Sequence, residues 1–299
     1  LFHVGDGSAT TINVTLRQLS IRYGRAMSGG GHAVENDGEV LTLEDVTVSD
    51  SDQPDVVGAL GGAVHSSGTL TVTGSSFSNN DANYNSSYGC GGAIRSEAGS
   101  SLTVTGSQFT QNGSQAWGGG AICAWGQATI SDSTFAYNTS QAGGGAIQFE
   151  GAPAQLSGST LTGNQAASGG AIHSNSVNLL IVNSTFSGNS AVNAGGVDIR
   201  TGSATIVNST FADNIASGTA DAYQKQVWDG GTTLSVVNTI VSGRSGYEAC
   251  FGSFSDGGGN VAYRASGCPG VTGNPLLQSL ASNGGPTQTM ALGTGSSAL

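Results

Sequence analysis

The chain has 299 residues, of which 50 are glycine, about one in six where a share near 7 % is usual. Only 9 % are charged and 6 % aromatic, yet 37 % are apolar, which excludes an ordinary helical domain and leaves a core of small and β-branched residues; the recurrence of Val, Ile and Thr argues against disorder. Eight Lys and Arg against 19 Asp and Glu give a net charge of −11, which repels phosphate backbones and excludes nucleic acid as a natural partner, and no apolar run of about 18 residues is present to cross a bilayer as a helix.

The chain opens at Leu1 without a basic, apolar leader, and the alternating stretch Thr11-Ile12-Asn13-Val14-Thr15-Leu16 already reads as a strand. A tetrapeptide then recurs: Gly61-Gly62-Ala63-Val64, Gly91-Gly92-Ala93-Ile94, Gly119-Gly120-Ala121-Ile122, Gly144-Gly145-Ala146-Ile147 and Gly169-Gly170-Ala171-Ile172, with looser copies ending at Val34, Val197 and Val227. Successive aliphatic positions lie 30, 30, 28, 25, 25, 25 and 30 residues apart. In step with it runs Phe-x-x-Asn, at Phe77/Asn80, Phe109/Asn112, Phe135/Asn138, Phe186/Asn189 and Phe211/Asn214, with Leu161/Asn164 keeping the pattern. Between the two lie alternating stretches such as Leu70-Thr71-Val72-Thr73 and Leu102-Thr103-Val104-Thr105, the period-two mark of a strand with one buried face.

Each unit thus holds three short strands joined by Gly, Ser and Asn turns, and none can bury its apolar face alone. Stacking of successive units into parallel sheets satisfies them all. The expected fold is an all-β, single-stranded, right-handed parallel β-helix with three short strands per coil of about 25–30 residues. Coils are expected over residues 1–243, with an irregular continuation and cap over 244–299. Val64, Ile94, Ile122, Ile147 and Ile172 form one inward ladder and the phenylalanines another. Asn80, Asn112, Asn138, Asn164, Asn189 and Asn214 are expected to stack as a structural ladder at a turn. The wider early spacings predict loops bulging after Val46 and Asn80.

Tandem Gly-Gly-Ala-Ile with Phe-x-x-Asn resembles the paired repeat of the chlamydial polymorphic membrane protein family and of the wider bacterial set of surface proteins with such repeats, over about residues 28 to 243. The tail from Asn274-Pro275-Leu276-Leu277 through Asn283-Gly284-Gly285-Pro286 to Leu299 is similar to the closing segment of bacterial extracellular β-helix proteins. The resemblance implies secretion, surface display and an adhesive role, and it supplies no catalytic residues.

Cys250 and Cys268 flank a Gly-rich excursion and are expected to pair, as an exported chain permits. Cys90 and Cys123 fall about five residues apart along adjacent strands, beyond the Cα limit near 7 Å, and are expected to be free. On the outward face of the Gly-Gly-Ala-Ile strand, Glu35, His65, Arg95, Cys123, Gln148, His173, Asp198 and Trp228 form one exposed row, and Asp37, Ser67, Glu97, Trp125, Glu150 and Asn175 a second. Two functions fit such a face. The first is an extracellular, adhesin-like scaffold without catalysis, its partner a surface receptor or a glycan. The rival is a polysaccharide-binding or lyase-like protein, whose chemistry needs carboxylates on a cation and a base against the sugar α-proton; Glu35, Asp37, His65, Arg95 and Glu97 are the cluster nearest to it. Trp117 and Trp125 offer faces for sugar stacking, with Glu150, His173 and Asp198 beside them. No cofactor or metal site is indicated beyond weak calcium binding around Asp50, Asp52 and Asp55. The uncovered strand at the chain start predicts either further coils upstream or end-to-end association with another copy.

Overall fold

The computed structural model describes the chain except residues 1, 6, 8–9, 26–32, 53–61, 83–88, 116, 219 and 226–233. Among the described residues there is no helix, and the strands form four parallel stacks. Sheet 1 has ten strands, from Phe2–Val4 through Ile94–Ser96, Ile122–Ala124 and Ile147–Glu150 to Cys250–Phe251. Sheet 2 has ten, from Asn13–Arg17 to Phe254–Asp256, and sheet 3 eleven, from Ser20–Arg22 to Val271–Thr272. Sheet 4 adds six very short strands, from Asp81–Ala82 to Ile215–Ala216, so the middle coils carry a fourth side beyond the three that periodicity announced.

The register follows the repeat. Val34 pairs with Val64, Val64 with Ile94, Ile94 with Ile122, Ile122 with Ile147, Ile147 with Ile172 and Ile172 with Val197. The next rung departs from the spacing: Val197 pairs with Tyr223 and Asp198 with Gln224, while Val227 and Trp228, where the rung was expected, lie outside the described residues. Bulging loops were expected after Val46 and Asn80; the strands Thr47–Ser49 and Asp81–Ala82 follow those positions at once, and residues 53–61 and 83–88 lie outside the described ones.

Both halves of the Gly-Gly pair are dictated by the backbone. Gly91, Gly119, Gly144 and Gly169 sit at φ between +59° and +69°, the left-handed region that side chains resist. A Cβ on Gly120, Gly145 or Gly170 would meet a carbonyl of the next coil at 2.1–2.2 Å. The chain can therefore turn sharply into sheet 1 while coils remain at hydrogen-bonding distance.

The interior is apolar, with polar ladders at its corners. Phe77, Phe109 and Phe135 stack at centroid spacings of 4.9 and 4.8 Å, and Phe186 stacks on Phe211 at 4.5 Å; Leu161, paired between Phe135 and Phe186, interrupts the column. After each of these residues the six asparagines are buried. Asn112 Nδ2 donates to Asn138 Oδ1 at 3.0 Å and to the Phe77 carbonyl at 3.1 Å, and the Asn112 backbone N–H donates to the same Oδ1; the pattern repeats down the column to Asn214. A second column, at the corner between sheets 2 and 3, runs Ser75, Ser107, Ser133, Ser159, Ser184, Ser209 and ends on Thr239; each serine backbone N–H donates to the hydroxyl one coil on, at 3.1–3.4 Å. These contacts satisfy buried polar groups at the corners.

Past Val271–Thr272 the chain turns back along the outside of the rod. Leu277 bridges Leu292 and Ala281 bridges Thr289 in antiparallel sense. The Thr287 hydroxyl donates to the Gly158 carbonyl at 2.8 Å, and Thr160, far earlier in sheet 3, donates its hydroxyl to the Gln288 carbonyl. The tail is thereby strapped to coils well inside the stack.

Both cysteine pairs are bonded. Cys250–Cys268 joins the last rungs, and Cys90–Cys123 spans neighbouring coils with a Cα separation of 5.6 Å, correcting the expectation that these two stay free. The alignment behind that expectation holds, for Cys90 bridges Gly118 and Arg95 pairs with Cys123. The distance drawn from it does not, because the four intervening residues, 91–94, are not extended. At left-handed Gly91 the chain doubles back, and a Cβ there would lie 2.9 Å from the Cys123 nitrogen.

Candidate functional site

The outward face of sheet 1 gathers most of the chain's buried charge, and it does so because a parallel, in-register stack puts every residue that follows an inward aliphatic into one row. Two clusters stand on this row, separated by the rung of Cys123.

In the first, His65 is clamped between coils. Its Nδ1 lies 2.7 Å from Glu35 Oε1 and its Nε2 2.8 Å from Glu97 Oε1; Arg95 Nε donates to the same Glu97 oxygen at 2.6 Å, and Arg95 Nη1 reaches the Cys90 sulfur at 3.7 Å. Burial disfavours the His65 imidazolium, but bonds to the two carboxylates outweigh it and raise its pKa to about 9. Glu97 is held down to about 2, chiefly by the His65 bond and further by Arg95, against the opposing effect of burial. Of the five residues singled out for lyase-like chemistry, four meet here; Asp37 is exposed and stands apart.

The second cluster is built on the strands Ile147–Glu150, Ile172–Asn175 and Val197–Ile199. Glu150 Oε1 accepts from Gln148 Nε2 at 2.6 Å and from Asn175 Nδ2 at 2.9 Å. Asp198, fully buried, accepts from Arg200 Nε at 2.7 Å and lies 3.3 Å from His173 Nδ1; Arg200 Nη2 also donates to Ser168 at 3.1 Å. Gln148 Oε1 is shielded from solvent and has no hydrogen-bond partner, a costly condition for a buried polar atom.

Beside this cluster Trp117 stands 42 % exposed and leans on Trp125, with ring centroids 5.8 Å apart at 47°. Trp117, Gly143, Gln148, Glu150, His173 and Asn175 line an open cleft of about 420 Å³. Its floor depends on glycine: a Cβ at Gly118 would fall 1.8 Å from Gln148 Oε1, and one at Gly143 2.7 Å from the His173 ring. The structure thus brings Trp117, Trp125, Glu150 and His173 into one region, with Asp198 behind His173.

Gln148, Asn175 and Arg200 were not singled out by sequence as binding residues. The first two occupy the named outward rows, so their places were readable; Arg200 holds the next second-row position, two residues after Asp198 and one rung past where that row was read. A larger groove, about 730 Å³, runs between the tail and the corner of sheets 2 and 3, near Asn208, Asn238 and Leu292, and it has no comparable aromatic platform. Among the described residues no group of three His, Cys, Asp or Glu side chains is disposed to hold a metal ion, Asp55 lying outside them, and no helix is long and apolar enough to cross a membrane.

The model of the Chlamydia polymorphic membrane protein repeat matches residues 132–150, the stretch from the corner before Phe135 to Glu150. The chain therefore carries a repeat of that type within a parallel β-solenoid. No curated protein sequence matches it.

Proposed function

We propose that this chain is an extracellular, surface-displayed scaffold that acts as an adhesin-like binding module, without catalysis, through the outward face of sheet 1. The repeat match and two disulfides support the exported setting. The observation that carries the reading is the contrast on that face between a locked ionic cluster and an open cleft with an exposed tryptophan. A lyase needs carboxylates available to a cation and a base available to a proton. Here Glu35, Glu97, His65 and Arg95 are engaged with one another, so the groups nearest to that chemistry are spent on holding coils together.

The test is to offer the purified chain to cell-surface glycans and, in parallel, to acidic polysaccharides while following ultraviolet absorbance of unsaturated products. Binding without turnover is the expected result. Sustained product formation that falls in an Arg95→Ala variant of unchanged fold overturns the reading in favour of a lyase.

A further inference from the structure

We propose that the cleft beside Trp117 is a carbohydrate subsite for an uncharged hexopyranose, a hexose or N-acetylhexosamine unit of a neutral glycan, and not for a uronate. The proposal rests on the binding-module reading above and gives it a ligand class.

Three features point to a sugar. Trp117 presents a broad apolar ring to solvent, and its contact with Trp125 fixes the plane before any ligand arrives, so little freedom is lost on stacking. The cleft, about 420 Å³, falls in the range of small-ligand sites. Its polar lining is incomplete as it stands: Gln148, 3 % exposed, has an Oε1 with no partner. The Gln148 amide is oriented by its neighbour, since its Nε2 donates to Glu150 Oε1, and the flipped amide would set two acceptors face to face.

The charge of the lining selects among sugars. Glu150 lies in the cleft wall and Asp198 directly behind His173, while Arg200 is directed to Asp198 and Ser168. Among the described residues no Lys or Arg lines the cleft. A uronate or sulfate would enter beside a carboxylate with no cation in the wall to answer it, and like charges at that range repel. Sugar hydroxyls, by contrast, bring donors to a surface rich in acceptors. The glycine floor at residues 118 and 143 supports the same reading, because any larger residue there would displace Gln148 or His173.

The experiment uses the intact 299-residue chain with cellotriose, maltotriose and triacetylchitotriose as neutral probes and trigalacturonate as the acidic one, read by tryptophan fluorescence and saturation-transfer difference NMR. At least one neutral trisaccharide is expected to bind with Kd of about 1 mM or tighter and trigalacturonate to give no signal. Trp117→Ala is expected to weaken binding roughly tenfold and Trp117→Phe less, with circular dichroism and the urea midpoint unchanged. Absence of neutral-sugar binding at about 10 mM, equal binding by Trp117→Ala, or preference for trigalacturonate overturns the subsite. A glycan array probed with wild type and Trp117→Ala separates the two levels. Array binding indifferent to Trp117 removes the subsite alone; no binding by wild type to the array or to cell surfaces removes the binding-module reading with it.

Discussion

The two clusters on the outward row of sheet 1 occupy the same place in the repeat and do opposite things. Around His65 every charge is answered, Arg95 by Glu97 on its own strand and His65 by a carboxylate one coil away on either side, and the result is a knot across the rungs of Val34, Val64 and Ile94. Around His173 the answering is partial: Glu150 and Asp198 are bonded and His173 Nδ1 lies 3.3 Å from Asp198, but Gln148 Oε1 is left over, and an exposed tryptophan stands beside it. A solenoid leaves its outer rows unconstrained by the core, so rows of one register can be spent on stability in one stretch and on binding in another.

The largest effect should come from opening the knot. His65→Ala leaves Glu35 and Glu97 partly buried with a shared partner gone, and losing one member of a buried pair typically costs about 3–5 kcal/mol. Because coils contact only their neighbours, the loss should be local, seen as faster amide exchange in strands Val34–Asn36 through Ile94–Ser96 with little change near Phe186. A urea midpoint and exchange pattern like wild type would show the knot to be decorative.

Next in size is the Cys90–Cys123 bond, which ties the knot to the rung between the clusters. Its loop spans 33 residues, for which chain-entropy arguments give about 3–4 kcal/mol. The Cys90→Ser/Cys123→Ser double variant should therefore melt earlier under oxidising conditions and match wild type once both are reduced. Equal melting of the oxidised proteins would contradict the assignment.

pH should erode the knot from both sides. His65 titrates near 9, above its ordinary 6.5, so its contribution is complete below about 6.5 and is lost as pH rises through about 9. Glu97 titrates near 2, below 4.5, so its contribution is complete above about 4.5 and is lost as pH falls toward 2. Stability of the early coils should plateau between those limits, and His65→Asn should flatten the alkaline arm. The effect is smaller than deletion, because at either end only one member of the cluster loses its charge. An unchanged alkaline arm in His65→Asn would assign it to other groups.

What could be read in advance followed from side chains that recur at one rung. Val64, Ile94 and Ile122 could only be neighbours if the chain coiled, and the Gly-Gly corner fixes where each rung begins. The rung at Tyr223 was missed because its Ala220-Asp221-Ala222 approach has lost both glycines, so spacing alone pointed to Val227 instead. The strands of sheet 4 are mostly two residues long, too short to show a period. The serine column escaped because a serine two residues before each Phe reads as turn chemistry, although its constancy across six coils was a signal. Cys90 was misjudged by treating sequence offset as extended distance across a left-handed glycine. The return of the tail to Gly158 and Thr160 rests on backbone carbonyls and two hydroxyls, which leave no mark in composition or periodicity. For the site, the outward rows named the cast; which members paired and which stayed unsatisfied depends on side-chain geometry that a row cannot express.

The smallest predicted effect is the most discriminating. Gln148→Leu removes a buried oxygen that has no partner and one donor to Glu150, leaving Asn175 Nδ2 on that carboxylate. Deleting an unsatisfied polar atom relieves a desolvation cost, while the lost charge-assisted bond opposes it, and the two are of similar size. Stability should therefore change by no more than about 1 kcal/mol in either direction, against the several lost by His65→Ala, though both side chains follow an inward aliphatic on the same sheet. Binding of the neutral trisaccharide should nonetheless fall, since Gln148 is assigned to the ligand and His65 to the fold. If Gln148→Leu instead destabilised the chain as much as His65→Ala, the second cluster would be another knot and the division of the row between holding and binding would disappear.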